Sequence, residues 1–250
     1  FSGLNPVRLA SSEDDGATWT ELAPVGDWGG IVTMSALEPV RAPDGGTRLM
    51  ALFHDDGRFL RPGGRATGTF TLLRTWSDDA GRTWSEPEAI WRGSALHLCE
   101  PGLVRSDDGR TIAILLRENR RRGTSHVMHS RDEGVTWTDP RPLSLALTGD
   151  RHQARRAPDG RLVVSFRDMA MGSPTHGDWV AWVGTFDELV SGAPAGYRVR
   201  LQDNLGGTDC GYPGIEVLPD GTFVVTTYGH WVAGASPFIL SVRFTVEELD

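Results

Sequence analysis

Three copies of one eight-residue pattern constrain this chain more than any other feature. They are SEDDGATW at 12–19, SDDAGRTW at 77–84 and SRDEGVTW at 130–137, each reading S-x-D-x-G-x-T-W. The pattern is that of a tight turn between two strands. The aspartate can accept backbone N–H groups within the turn, and the glycine permits a positive φ. The tryptophan is expected to open the next strand and wedge into the core. Repetition at this level decides the architecture before any residue-level reading does.

A second repeat runs in phase with the first. PDG or DDG turns end at Gly45, Gly109, Gly160 and Gly221, and each is followed by a strong strand pattern: TRLMALF, TIAILLR, RLVVSFR and TFVVTTY. β-branched and aromatic residues dominate these runs and no helical period is present. A third strand follows in each unit, as in TFTLLRTW, SHVMHS, WVAWVG and FILSVRF, and the aspartate box turns into a fourth. Four strands per unit make a propeller blade, so the expected fold is an all-β β-propeller of four-stranded blades, about 17 strands in one domain over 1–250. The expected blades are 1–27 (partial), 30–93, 96–145, 150–203 and 208–250 (partial). TFDELV replaces the box in the fourth unit, and a single helical turn is expected there or at TVEELD. The pattern starts and stops mid-blade. That leaves two readings, a compact five-bladed ring or the C-terminal part of a six-bladed protein.

Composition narrows the function classes. The net charge is −8, and the 25 basic residues are all arginine. A net-acidic chain argues against nonspecific nucleic-acid binding. No run is long enough to span a membrane. The first residues lack a basic segment followed by an apolar run, so no leader is visible. A trimmed leader would place the protein outside the cell or in the periplasm; without one, the cytoplasm stays open. Cys99 and Cys210 are the two cysteines, able to pair or to remain thiols. No metal-ligand spacing, phosphate loop or nucleotide motif is present, so neither metal nor cofactor is expected.

The repeats also place a candidate site. First strands of blades line the axis, so equivalent residues on them converge. Nine residues before the turn glycines stand Glu100, Arg151 and Tyr212; the first full blade has an altered spacing, and its nearest equivalent is Glu38. A carboxylate, a guanidinium and a phenol at equivalent positions are poor core material. The ends of the second strands add His54, Asp55 and Asp56, then Arg117, then Arg167 and Asp168, then His230. Convergent polar groups in a concave mouth are the signature of a ligand site. A structural role competes with this, because Glu38-Pro39 and Glu100-Pro101 could simply end hydrogen-bond ladders. The box residues Asp14, Asp79 and Asp132 are read as structural, and Arg120 to Arg122 as rim.

With these residues in view, the chain resembles the sialidase (neuraminidase) superfamily in its BNR/Asp-box branch, over nearly its whole length. The resemblance implies a six-bladed exo-glycosidase with three arginines for a sugar carboxylate, a Tyr/Glu nucleophile pair and an Asp acid/base. CEPGLVRSDDGRTIAILLREN resembles the segment that supplies Glu100 and Arg117, and DCGYPGIEVLPDGTF the segment that presents Tyr212. Asp55 or Asp56 in FHDDGRF would be the acid/base. The further arginine is Arg151, Arg167 or Arg243. The implied partner is a glycan with a terminal acidic sugar, gripped by arginine forks. A neutral phenol avoids the charge repulsion a carboxylate nucleophile would meet, and Glu100 could take its proton.

His54, His152 and His230 depart from the sialidase pattern. They point to other acidic sugars, including a uronate-directed lyase in which Tyr and His act as acid and base. A non-catalytic glycan-binding propeller is a third reading. It would favour repeated aromatic platforms, whereas here the mouth residues differ from blade to blade.

Overall fold

The computed structural model describes residues 6–31, 34–61 and 63–250. The chain divides into two compact units, Phe1–Glu100 and Pro101–Asp250. In the first unit β1 (Pro6–Leu9) pairs with β2 (Ala23–Gly29). A four-stranded antiparallel sheet follows in the order β3 (Ala36–Arg41), β4 (Thr47–Asp55), β5 (Phe70–Ser77) and β6 (Glu88–Gly93). The next blade joins β7 (Leu98–Arg105), β8 (Ile112–Glu118), β9 (His126–Ser130) and β10 (Arg141–Pro142). The second unit continues with β11 (Gly149–Arg156), β12 (Leu162–Asp168), β13 (Trp179–Gly184) and β14 (Tyr197–Gln202), then with β15 (Gly211–Val217), β16 (Phe223–Gly229) and β17 (Phe238–Phe244). These are blades of an all-β propeller: among the described residues, three with four strands and one with three, after the β1–β2 pair.

Burial explains the sequence of each strand. β8, β12 and β13 are buried on both faces almost throughout, so their runs are continuously apolar rather than alternating. β16 alternates buried and half-buried residues, and the last strand, β17, is mostly exposed. In the second unit Val164, Phe166, Val180 and Trp182 pack with Leu143 and Leu147, while Trp179, Phe223, Trp231 and Phe244 form a second cluster. In the first unit Val7, Trp28, Phe53 and Leu73 make a core of their own.

All three boxes share one hydrogen-bond pattern. In the first, Gly16 N–H donates to Ser12 Oγ (2.8 Å) and Thr18 N–H to Asp14 Oδ1 (2.8 Å). The same bonds recur about Asp79 and Asp132. Asp15, Ala80 and Glu133, each preceding the box glycine, also have positive φ. The expected wedging is seen at Trp84, which packs against the core of the first unit, but not at every box. Trp19 is 64% exposed, and Trp84 and Trp137 are half-buried. Each indole N–H donates to its own box glycine carbonyl at 3.0 Å, which folds the ring back over the turn. The indole donor needs a partner, and the turn supplies one that the core would not.

Where the fourth box is missing, α1 (Phe186–Ser191) takes its place and exceeds the expected single turn. A capping box starts it: Glu188 N–H donates to Thr185 Oγ1 (3.2 Å) and Thr185 N–H to Glu188 Oε2 (2.7 Å). Gly192, at φ 70°, ends it. Among the described residues no helix is long and apolar enough to cross a membrane.

Candidate functional site

The first strands carry a shared backbone irregularity. Glu100 (φ 54°), Arg151 (φ 59°) and Tyr212 (φ 62°) all occupy the left-handed region. In β11 the register with β12 slips between Asp150 and Gln153, and in β15 the register with β16 slips between Gly211 and Gly214. Each slip is a β-bulge that sets two residues against one and re-aims the side chains. The residue after each left-handed position, Pro101, His152 and Pro213, is buried. Glu38 has no such geometry: β3 pairs with β4 in unbroken register, Glu38 opposite Met50. With neither a positive φ nor a register slip, it is not the equivalent of the other three.

In the first unit, Glu100 N–H donates to His54 Nδ1 at 3.3 Å. The His54 ring stacks on Phe70 (6.1 Å), and Phe70 on His97 (4.3 Å). His54 thus holds the strained Glu100 backbone. Asp55 accepts the amides of Gly57 (2.9 Å), Phe59 (3.1 Å) and Leu60 (3.2 Å), which makes it the organiser of the loop after β4. Asp56 bonds the Arg58 side chain through Oδ1 at 2.9 Å.

In the second unit, three arginines meet one carboxylate. Asp150, 1% exposed at the start of β11, lies against Arg117 Nε (3.3 Å), Arg121 Nη1 and Nη2 (2.5 and 2.6 Å), and Arg167 through Nε (3.1 Å) and Nη2. Burial alone would push the Asp150 pKa up. The hydrogen bonds from Arg121 and the charges of Arg117, Arg121 and Arg167 outweigh it and hold the carboxyl below its usual range. Arg167 also donates through Nη1 to the carbonyls of Thr208 and Cys210, linking the cluster to the approach to β15.

Beyond that link lies Tyr212, 54% exposed. Arg151 sits over its ring, Cζ 4.0 Å from the centroid, and the Tyr228 ring stacks at 6.3 Å. Tyr228 donates its hydroxyl to Asp209 Oδ1 (3.1 Å), and His230 Nε2 lies 2.9 Å from Asp209 Oδ2. Burial and the bonded, charged Asp209 push the Tyr228 phenol up to about 12. The bonds from His230 and Tyr228 pull Asp209 down.

Arg117, Arg167, Arg151, Tyr212 and His230 therefore belong to one connected polar patch of the second unit. Two expected members do not. His152 is fully buried, its Nε2 2.9 Å from the Leu147 carbonyl and its ring 4.9 Å from Phe166. Desolvation lowers its pKa to about 4, so it is a neutral core histidine. The bulge that turns Arg151 out turns His152 in. Arg243 pairs with Val224 near the β15–β16 turn, close enough for its charge to act on Asp220. Tyr212 belongs to the opposite end of that blade, where Gly211 pairs with Tyr228. Three participants were not singled out from sequence, Asp150, Asp209 and Tyr228, and Arg121, expected at the rim, pairs with buried Asp150. Cys210 is a buried thiol raised to about 12, chiefly by burial. A separate groove of about 590 Å³, lined by Asp107, His129, Arg141 and Asp187, lies at the turn end of β7 and β8, away from Arg117. Among the described residues no group of three or more His, Cys, Asp and Glu could hold a metal ion.

Solved structures share this fold at low identity. The structure of a protein of unknown function from Dyadobacter fermentans is 19% identical, with a TM-score of 0.71 over 94% of this chain and 63% of its own. The intramolecular trans-sialidase from Ruminococcus gnavus is 18% identical, with a TM-score of 0.64 over 97% of this chain and 50% of its own. An endo-arabinase from Bacteroides thetaiotaomicron is 16% identical, with a TM-score of 0.54 over 96% and 86%. The chain thus spans less than two thirds of the first two. No curated protein matches it. The likeness is one of fold, distant from sialidases and other glycosidases alike. The family model of the BNR repeat-like domain matches residues 2–169, and the chain belongs to that family.

Proposed function

We propose that this propeller is the catalytic part of an exo-acting glycoside hydrolase of the sialidase type, releasing a terminal acidic sugar. The observation that carries the reading is the left-handed geometry shared by Glu100, Arg151 and Tyr212. Strained backbone at three repeat-equivalent positions, each with a different reactive or charged side chain, is characteristic of a functional site. In this reading Tyr212 is the nucleophile and Glu100 the base that takes its proton. A covalent tyrosyl intermediate gives retention of configuration, as in the tyrosine-using exceptions among glycosidases. Arg117, Arg151 and Arg167 supply the positive field for the sugar carboxylate. Asp55 has its oxygens on three amides, so the proton to the leaving oxygen is assigned to Asp56. The partial coverage of the longer neighbours supports further blades in the whole protein, six in this reading.

The pairing of His230 and Tyr228 through Asp209, beside Tyr212, favours a second reading: a uronate-directed lyase with His and Tyr as base and acid. One experiment separates the two. The protein and its Tyr212→Phe variant are offered 4-methylumbelliferyl N-acetylneuraminic acid. Turnover reduced at least about a thousandfold in the variant fits loss of a nucleophile. No turnover by well-folded protein removes the sialidase reading. An unsaturated, near-ultraviolet-absorbing product from a uronate polymer then supports the lyase.

A further inference from the structure

We propose that Asp150 is a specificity-determining residue, an internal carboxylate that fills a three-arginine seat and so competes with the carboxylate of an acidic ligand. The proposal deepens the acidic-sugar reading, but its test needs no turnover.

The two Asp150 oxygens accept four guanidinium hydrogen bonds, from Arg121 and Arg167, and Arg117 Nε forms an ion pair with Oδ1 at 3.3 Å. Arg121 presents both terminal nitrogens, one to each oxygen. A planar fork of this kind is how arginine recognises a free carboxylate. The aspartate is almost fully buried, yet the arginine side chains are 19%, 30% and 15% exposed, so the outer side of the seat reaches solvent. Three guanidiniums this close would repel one another without an anion between them. Asp150 neutralises one charge and engages the donors of Arg121 and Arg167, so an incoming carboxylate meets donors already in use. Acidic ligands are therefore held more weakly than the arginine count implies, and sugars without a carboxylate lose nothing.

The test compares the protein with Asp150→Ala and Asp150→Asn by calorimetry and thermal melting. The probes are formate, which has the heavy atoms the alanine variant lacks, and N-acetylneuraminate, with chloride at matched ionic strength. The expected result is that formate raises the melting temperature of Asp150→Ala but not of the parent, and that Asp150→Ala binds N-acetylneuraminate at least tenfold more tightly. Asp150→Asn loses the charge but keeps the seat filled, so it is expected to gain much less. Three results overturn the proposal: no tightening in a folded Asp150→Ala, an equal gain in Asp150→Asn, or an Asp150→Ala that stays unfolded in formate. Absence of sialoside hydrolysis by the parent would count against the hydrolase reading alone.

Discussion

The left-handed residues of the first strands lend themselves to a quantitative test. At an ordinary strand position glycine is less stable than alanine by about 0.5–1 kcal/mol, because it loses more backbone freedom. At a positive φ the order reverses, since an L side chain there costs roughly 1–2 kcal/mol. Arg151 and Tyr212 occupy that region, while Glu38 sits in unbroken antiparallel register. Comparing alanine and glycine at one position cancels the native side chain, including the stacking of Arg151 on Tyr212. Arg151→Gly and Tyr212→Gly should each exceed their alanine counterparts by about 1 kcal/mol, and Glu38→Gly should fall below Glu38→Ala by a similar amount. The swing between site and control is then about 2 kcal/mol. In thermal melts 1 kcal/mol is a shift of about 2–4 °C for a chain of this size. Alanine variants as stable as glycine ones at 151 and 212 would refute the reading of these bulges as strained.

Two further expectations concern pH. His152 is buried and neutral, with its pKa lowered to about 4 by desolvation. A depressed histidine contributes stability that is complete above about 6.5 and is lost as pH falls toward 4, on the order of 3 kcal/mol. Denaturant midpoints should fall over that window, and His152→Gln should flatten the fall; an unchanged slope would remove His152 as its source. Asp14 and Asp79 are held at about 2, first by the side-chain bonds of Thr18 and Thr83 and then by the amides of the same residues. Their contribution is present above the ordinary carboxylate value near 4 and is lost as pH falls through 2. Carboxyl titration by NMR should find both still ionised at pH 3, whereas Thr83→Val should move Asp79 upward.

How much of this was legible depended on whether the repeat reached it. The boxes and turn glycines specify strands because both are local chemistry. The nine-residue count found Glu100, Arg151 and Tyr212 because the left-handed residue lies at a fixed distance from the turn glycine. It did not carry over to Glu38, seven residues before Gly45 and in unbroken register from Ala36 to Arg41. His152 lies inside a bulge that its sequence does not mark, so nothing there shows that Arg151 turns out and His152 in. Asp150 was beyond the repeat: the corresponding residues are Cys99 and Gly211, so no pattern marks a carboxylate there. Its arginines come from the ends of β8 and β12 and from Arg121, whose φ of 58° belongs to a loop without a repeat signature.

The bulges also explain how reactive groups can be held still at the ends of strands. A strand end would ordinarily fray, and a site needs its side chains fixed to well under an ångström. Here each left-handed residue is followed by a buried one, and at Arg151 and Tyr212 the pair acts as a lever with its short arm in the core. His152, bonded to Leu147 and packed on Phe166, anchors Arg151; Gly102, where a Cβ would lie 2.0 Å from the His152 carbonyl, lets β7 close against that anchor. Pro213 is buried behind Tyr212, and the Thr227 hydroxyl holds the Gly211 carbonyl on its other side. His54, stacked on Phe70, takes the Glu100 amide. The core residues differ in each blade, but each fixes the backbone on the side away from solvent. The outward side chain can then vary from blade to blade without loosening the strand beneath it. On such a scaffold an asymmetric site can arise from a repeated fold.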